Sequence, residues 1–498
     1  MNLEPASKVY DAIIVGSGAG GAAAAYGLAS RGLNVLLIEK GGELPRDGST
    51  LDIRAVVHEG RFKSREPWRD ARGMTLHPEE YFNVGGKTRW YGAALLRYDA
   101  SEFEADEAHQ CSAWPVRYED LRPWYDVAER MLGVRTIDCE PGLARIIAKL
   151  ARGASPWRSA PLPMGLDAAI GDDLLEARHF DGFASVASLK SDACTAFLAR
   201  VRYRPNFAII TGAPVVGLVN SSEDQTRIAG VRLEDGRVFR ARAVLLAAGA
   251  LHTPRLVQRF FERADLAQPL PAAGHVGRNL KLHLLTAVVA LSPVRQMDLI
   301  RKTTLLLSDA LPHSSVQPLG FDGELISTLI PGFTPRAVAR QMGERAYGFF
   351  LQTEDGSHPD NRVCDRGENT PPLIDYDARR VPTALAEHKR LVAHLRGSLG
   401  RAGLIAFSKR VGVEGTAHAC GTMRAGDDPA TSAVDGNGRV HGLEGLYVVD
   451  GSVLPRSSRV NPSLTIYAWS LRVADRLAGT LTSCKETAMT RPAAELPA

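Results

Sequence analysis

The chain opens on a largely apolar run, Tyr10 to Val15 (YDAIIV), whose length predicts a buried strand. A glycine loop follows, Gly16-Ser17-Gly18-Ala19-Gly20-Gly21. The alanine-rich stretch Ala22 to Arg31 then predicts a helix, ended by Gly32. Asn34 to Ile38 (NVLLI) predicts a second buried strand that closes on Glu39. Strand, helix and strand in this order make a βαβ unit, hence a parallel pair.

Beyond Gly42 the pattern loosens into a polar region through Glu80, and a second glycine cluster occupies Gly85 to Gly92. Trp114 to Val134 predicts a helix with Asp120 near its start, and residues 150–180, rich in Pro, Gly and Ala, predict surface loops. β-branched residues predict strands at Phe207 to Val219 and Ile228 to Leu233, followed by the turn Glu234-Asp235-Gly236. Ala243 to Ala248 (AVLLAA) predicts another buried strand, running into Gly249. Residues 284–410 mix strand-like runs and prolines, with a helical stretch from Thr383 to Ala402. Gly445 to Val449 predicts a strand, Asn461-Pro462 opens a helix through Leu477, and the polar last residues predict a frayed tail.

The chain has 498 residues, which predicts two or three structural units. Its net charge of +4 gives no reason to expect nucleic acid or an acidic membrane as a partner. The six cysteines form no CxxC pair and lie at no metal-ligand spacing, so neither a zinc site nor an iron–sulfur cluster is expected. Sparse cysteines, a start at Met1-Asn2-Leu3 without a basic-then-apolar leader, and apolar runs too short to cross a bilayer predict a soluble cytoplasmic protein with no membrane span.

The glycine loop has the features of a dinucleotide site. Gly16 and Gly18 lack the β-carbon that would keep a pyrophosphate away, and Gly21 lets helix and strand pack closely. Amides at the helix start face the phosphates, and Glu39 is placed to bond a ribose hydroxyl, which disfavours NADP. The loop alone separates FAD from NAD no further; its N-terminal position and the later segments favour FAD.

Those later segments are His418-Ala419-Cys420-Gly421-Thr422-Met423-Arg424-Ala425-Gly426, then Asp450-Gly451-Ser452-Val453-Leu454-Pro455, then Asn461-Pro462-Ser463-Leu464-Thr465. They resemble the C-terminal signature of the glucose–methanol–choline (GMC) oxidoreductases: HxxGTxRxG, VDxSxxP and NPxxT. Gly249 to Leu256, and Val276-Gly277-Arg278-Asn279-Leu280 before His283, match the same family. Trp114-Pro115, Tyr118 and Asp120 to Tyr125 look most like its branch of pyranose oxidases, sugar dehydrogenases and aminoglycoside oxidases.

The resemblance implies an α/β fold: a discontinuous, Rossmann-like FAD-binding domain (1–98, 185–283 and 415–482), an α+β substrate domain on an antiparallel sheet (99–184 and 284–414), and a tail (483–498). It implies oxidation of a sugar, glycoside or other polyol hydroxyl by hydride transfer to flavin N5, with His418 as base and Asn461 holding the substrate oxygen. An N-cap role for Asn461 is compatible with this. With the loop reading, the cofactor set is Gly16, Gly18, Ala19, Gly21, Glu39, Lys40, Gly85, Gly86, Thr88, Tyr91, Gly92, Val215, Ala248, Gly249, Asp450, Gly451, Asn461, Pro462, Ser463 and Leu464. Asp450 reads either as a contact near the phosphates or as an ordinary turn aspartate, and Val215 as an adenine contact or a strand residue. His252, His283 and His441 read as structural.

No histidine stands in Lys87-Thr88-Arg89-Trp90-Tyr91, where some members attach FAD covalently, so non-covalent FAD is expected. Arg456 and Arg459 stand where small residues are usual; a substrate contact is one reading, and a salt bridge or solvated loop the favoured one. The electron acceptor is O₂ or another molecule. Competing readings are a dehydrogenase subunit feeding a quinone or cytochrome, and a flavin-fold binding protein without redox activity.

Overall fold

The computed structural model describes residues 8–152, 156–264, 270–328, 330, 334–367 and 369–489. Its first sheet is built from β1 (Val9–Val15), β2 (Val35–Ile38), β3 (Phe207–Ile210), β4 (Val215–Asn220), β5 (Ile228–Leu233), β6 (Val238–Leu246) and β7 (Leu446–Val448). The order is β3-β2-β1-β6-β5-β4, with β7 beside the far half of β6. β3, β2, β1, β6 and β7 run parallel, and β4 and β5 add an antiparallel hairpin. Val15 pairs with both Ile38 and Leu246, Ile38 with Ile210, and Leu246 with Val448, so five carboxyl ends lie level at one edge. In an open parallel sheet that edge is where ligands sit.

Helix α1 (Ala19–Ala29) follows β1 directly. Ala22 to Ala25 are fully buried, and small side chains bring the helix down onto the sheet. The C-terminal helix, Ser463–Met489, packs on α1 and also on helix α2 (Tyr118–Leu132). Leu121, Tyr125 and Leu132 of α2 join the core of the first sheet, and the Tyr125 hydroxyl lies 2.7 Å from Thr465 Oγ1. This part of the 99–184 segment therefore packs on the parallel-sheet unit.

The second sheet is antiparallel and takes its strands in the order Ile405–Arg410, Leu284–Leu291, Ala346–Thr353, Ser314–Pro318, Thr304–Leu307 and Arg158–Pro161. A helix, Pro382–Arg401, covers it, placing Leu391, Leu395 and Leu399 against Val288, Tyr347 and Phe349. The third sheet crosses the expected domain division: Arg362–Cys364 and Leu373–Asp375 pair with Trp68–Asp70 and Thr75–Leu76.

Two sequence expectations give way here, at 150–180 and at the C-terminal tail. Residues 150–180 are more than surface loop: an edge strand forms, and Leu162, Met164 and Phe180 are buried. The polar 42–80 stretch buries Thr50, Leu51 and Trp68, because sparse apolar anchors suffice when neighbouring segments supply the rest of the core. The last helix runs to Met489, past the expected start of the tail, and residues 490–498 lie outside those described. Among the described residues no helix is long and apolar enough to cross a membrane.

Candidate active site

A cavity of about 1270 Å³ opens at the carboxyl edge of the parallel sheet. Gly16, Gly18, Ala19, Glu39, Lys40, Gly86, Thr88, Tyr91, Gly92 and Val215 line it, as do Ala248, Gly249, Asp450, Gly451, Asn461, Pro462, Ser463 and His418. Gly21, Gly85 and Leu464 are not among its lining residues, nor are Arg456 and Arg459.

The glycine loop suits a bulky phosphate ligand. Gly16 has φ +99°, and a β-carbon there would collide with the Ala247 carbonyl. Gly21 is equally closed by the Gly16 carbonyl, so its part is helix–strand packing. A β-carbon on Gly18, by contrast, meets no protein atom within 4 Å, and this residue faces the cavity. Gly18 also caps α1 without a side-chain acceptor, leaving the first-turn amides to whatever binds. The geometry fits a dinucleotide.

Glu39 closes β2 with its carboxylate already engaged. Oε2 accepts from Ser17 N at 2.9 Å and Ser17 Oγ at 2.6 Å, and Oε1 accepts from Gly41 N at 2.8 Å. Burial pushes the carboxyl up, against these hydrogen bonds. Ser17 Oγ also accepts from Gly85 N at 2.9 Å, tying the two glycine clusters together. Sequence reasoning passed over Ser17, although its place between two motif glycines was the available signal. Asp450 accepts from Gly249 N and Ser452 N at 2.8 Å and from Thr253 Oγ1 at 2.5 Å. It thereby joins the loops after β6 and β7 while lining the cavity.

His418 and Asn461 come together on the cavity wall, with His418 Nε2 and Asn461 Nδ2 3.3 Å apart. Asn461 Oδ1 accepts from Gln317 Nε2 at 2.6 Å. On the other side of the imidazole, His418 Nδ1 lies 3.0 Å from His283 Nδ1, and His283 Nε2 lies 2.7 Å from the Ser458 carbonyl. An antiparallel bridge, Lys281 to Cys420, places His283 opposite His418 in register, so His283 is a direct neighbour of the site. Burial pushes the His418 pKa well below the ordinary histidine value, and His283, Lys302 and Lys87 push the same way.

The cavity lining also carries an ion pair that no motif signalled. Lys302 Nζ reaches both Asp181 oxygens at 3.1 and 3.2 Å, and Asp181 Oδ2 also accepts from Gly320 N. Phe321, Leu325 and Phe350 line the cavity as well.

The two loop arginines point elsewhere. Arg456 is buried and bidentate on Glu354, at 2.9 and 2.7 Å, with a further bond to the Glu104 carbonyl. Burial alone would raise the Glu354 carboxyl, but hydrogen bonds from Arg456 and His313 hold it well below the usual range. Arg459 bonds the Pro312 carbonyl and faces Asp99 at 3.5 Å. Both arginines thus follow the favoured reading, a salt bridge, rather than the substrate contact, because the carboxylates that meet them lie outside the cavity. His252 lines the cavity edge-on to Trp68 and Phe82, whereas His441 bonds Ser432 and the Gly426 carbonyl outside it.

The glycine-loop parallel sheet and its cavity suit a dinucleotide, and residues 11–304 match the family model described as FAD dependent oxidoreductase. Residues 366–470 match the model described as GMC oxidoreductase, and the chain belongs to that family. It is similar to 6'''-hydroxyparomomycin C oxidase of Streptomyces lividus, 30% identical over 96% of this chain and 93% of that one. It is similar also to paromamine 6'-oxidase of Streptomyces fradiae, 30% identical over 96% and 92%. Its fold is that of pyridoxine 4-oxidase from Mesorbium loti, with a TM-score of 0.65 at 19% identity over 94% of this chain and 99% of the other.

Proposed function

We propose that the protein oxidises a sugar or glycoside hydroxyl to a carbonyl, with His418 as the base. The carrying observation is the partly buried pair of His418 Nε2 and Asn461 Nδ2, 3.3 Å apart on the cavity wall. Alcohol oxidation removes a proton from oxygen and a hydride from the adjacent carbon; FAD, when bound, supplies the acceptor for the hydride at its N5. His418 takes the hydroxyl proton on Nε2, and Asn461 directs its amide donor at the same oxygen. Its depressed pKa keeps the imidazole neutral, the form a base requires. Gln317 holds the Asn461 amide so that Nδ2 faces the site.

Gly16, Gly18, Ala19 and Glu39, with the 248–249 and 450–451 turns, hold the dinucleotide, and Gly86 to Gly92 with Pro462 and Ser463 enclose the flavin end. The segments 1–98, 185–283 and 415–482 bind FAD, while the antiparallel sheet and residues 180–183 bound the substrate. FAD is held without a covalent bond: residues 87–91 include no histidine, and the Tyr91 hydroxyl is committed to the Ser191 carbonyl at 2.6 Å. Both relatives quoted at 30% identity are named as oxidases, of paromamine and of 6'''-hydroxyparomomycin C. These names support an amino-sugar glycoside as substrate and O₂ as acceptor.

The test is anaerobic mixing of FAD-loaded enzyme with a panel of glycosides, following loss of the flavin's blue-light absorption. His418→Ala is expected to stay yellow and to bleach slower by roughly 10²–10⁴-fold. Near-normal bleaching in that variant would remove His418 from the role.

A further inference from the structure

We propose that His283 sets the tautomer of His418, so that Nε2 carries the lone pair facing the cavity and Nδ1 carries the hydrogen. This rests on the reading of His418 as the base.

The Ser458 carbonyl can only accept a hydrogen bond, so His283 Nε2, 2.7 Å away, carries a hydrogen. A neutral imidazole has one N–H, which leaves a lone pair on His283 Nδ1. His418 Nδ1, 3.0 Å from that lone pair, must then be the donor, and its Nε2 is bare. The other end of the chain agrees. Gln317 Nε2 donates to Asn461 Oδ1, which turns Asn461 Nδ2, a donor, toward His418 Nε2. The Ser458 carbonyl thus orients two imidazoles, and Gln317 orients Asn461 to match.

The fold holds this geometry against local preference. His283 and Ser458 both have left-handed backbone, φ +61° and +70°, which non-glycine residues adopt at a cost. Two consecutive carboxylates hold them. Asp355 accepts from His283 N at 3.2 Å, Leu282 N at 2.8 Å and Ser457 Oγ at 2.9 Å. Glu354 accepts from Ser458 N at 3.1 Å and from Arg456. Arg456 therefore anchors the loop whose carbonyl sets the polarity. When His418 takes a proton on Nε2, its Nδ1–H still finds the His283 lone pair.

His283 is a positioning residue, tested in the FAD-loaded enzyme with His283→Leu and His283→Gln. Gln can accept from His418 with its oxygen and donate to Ser458 with its amide; Leu can do neither. In His283→Leu the His418 Nδ1–H loses its acceptor, and the flavin-bleaching rate is expected to fall roughly 10–100-fold, with most of it restored in His283→Gln. The independent readout is the side-chain ¹⁵N spectrum of histidine-labelled protein. Resting wild type should show His418 protonated at Nδ1 alone, and His283→Leu should shift it toward Nε2–H. Wild-type His418 protonated at Nε2, or His283 protonated on both nitrogens, overturns the proposal. So does an unchanged rate and spectrum in His283→Leu while His418→Ala is inert. Should His283→Leu not fold, the wild-type spectrum and the Gln variant still decide. An active His418→Ala enzyme would instead sink the base assignment, leaving the spectrum to judge the tautomer separately.

Discussion

Gln317 Nε2 donates to Asn461 Oδ1 at 2.6 Å, joining a strand of the antiparallel sheet to the segment that leads into the C-terminal helix. Gln317 is buried and outside the cavity lining, so it acts through Asn461. Gln317→Leu leaves Asn461 Oδ1 without its donor, at a cost of about 1–3 kcal/mol, and frees the amide to turn. Flavin-bleaching rates measured anaerobically should fall by roughly 10–100-fold while FAD content is unaltered.

Arg456 and Arg459 should separate cleanly. Arg456→Ala strands the buried Glu354 charge and should cost about 3–5 kcal/mol of stability, read by denaturant unfolding. Arg459→Ala breaks only partly exposed contacts, so substrate KM should stay close to the wild-type value. A large rise in KM would return Arg459 to the substrate site.

Gly18 and Gly20 test the cofactor cradle. A methyl group at Gly18 meets no protein atom but stands in the cavity, so Gly18→Ala should lose flavin absorbance yet unfold like the wild-type apoprotein. At Gly20 the methyl collides with the Val449 carbonyl, so Gly20→Ala should destabilise the apoprotein itself, by about 1–3 kcal/mol.

Precipitation with trichloroacetic acid should release the FAD into the supernatant and leave a colourless pellet. Yellow colour retained on washed pellet would mean a covalent link, with Tyr91 and His252 the first cavity-lining residues to check.

His388 predicts a pH dependence of stability. It is buried between Thr286 Oγ1 at 2.8 Å and Thr353 Oγ1 at 2.9 Å, and burial, with Arg410, pushes it down to about 3. Unfolded, it titrates near ~6.5, so between these values the unfolded chain binds the extra proton. Stability is therefore complete above about pH 6.5 and falls on acidification, by about 2 kcal/mol at pH ~5 from this residue alone. His388→Gln should flatten that part of the Tm–pH curve.

The βαβ unit, its glycine loop and Glu39 were legible because each is a local pattern: hydrophobic runs, a backbone needing positive φ and a residue closing a strand lie within 31 consecutive positions, Val9 to Glu39. The family motifs at 418–426, 450–455 and 461–465 were legible in the same way. The expectation of surface loops at 150–180 failed because sequence composition does not report which neighbour will bury a residue.

By itself the sequence determined the fold class, the dinucleotide cradle and the two residues on which the chemistry is proposed to rest. Tertiary structure alone decided what surrounds them. His283 meets His418 across 135 positions, Gln317 meets Asn461 across 144, and Asp181 meets Lys302 across 121. It also turned Arg456 from the cavity to Glu354. A hydrogen bond depends on distance and direction in space, and residues so far apart acquire both only when the parallel and antiparallel sheets close around one cavity.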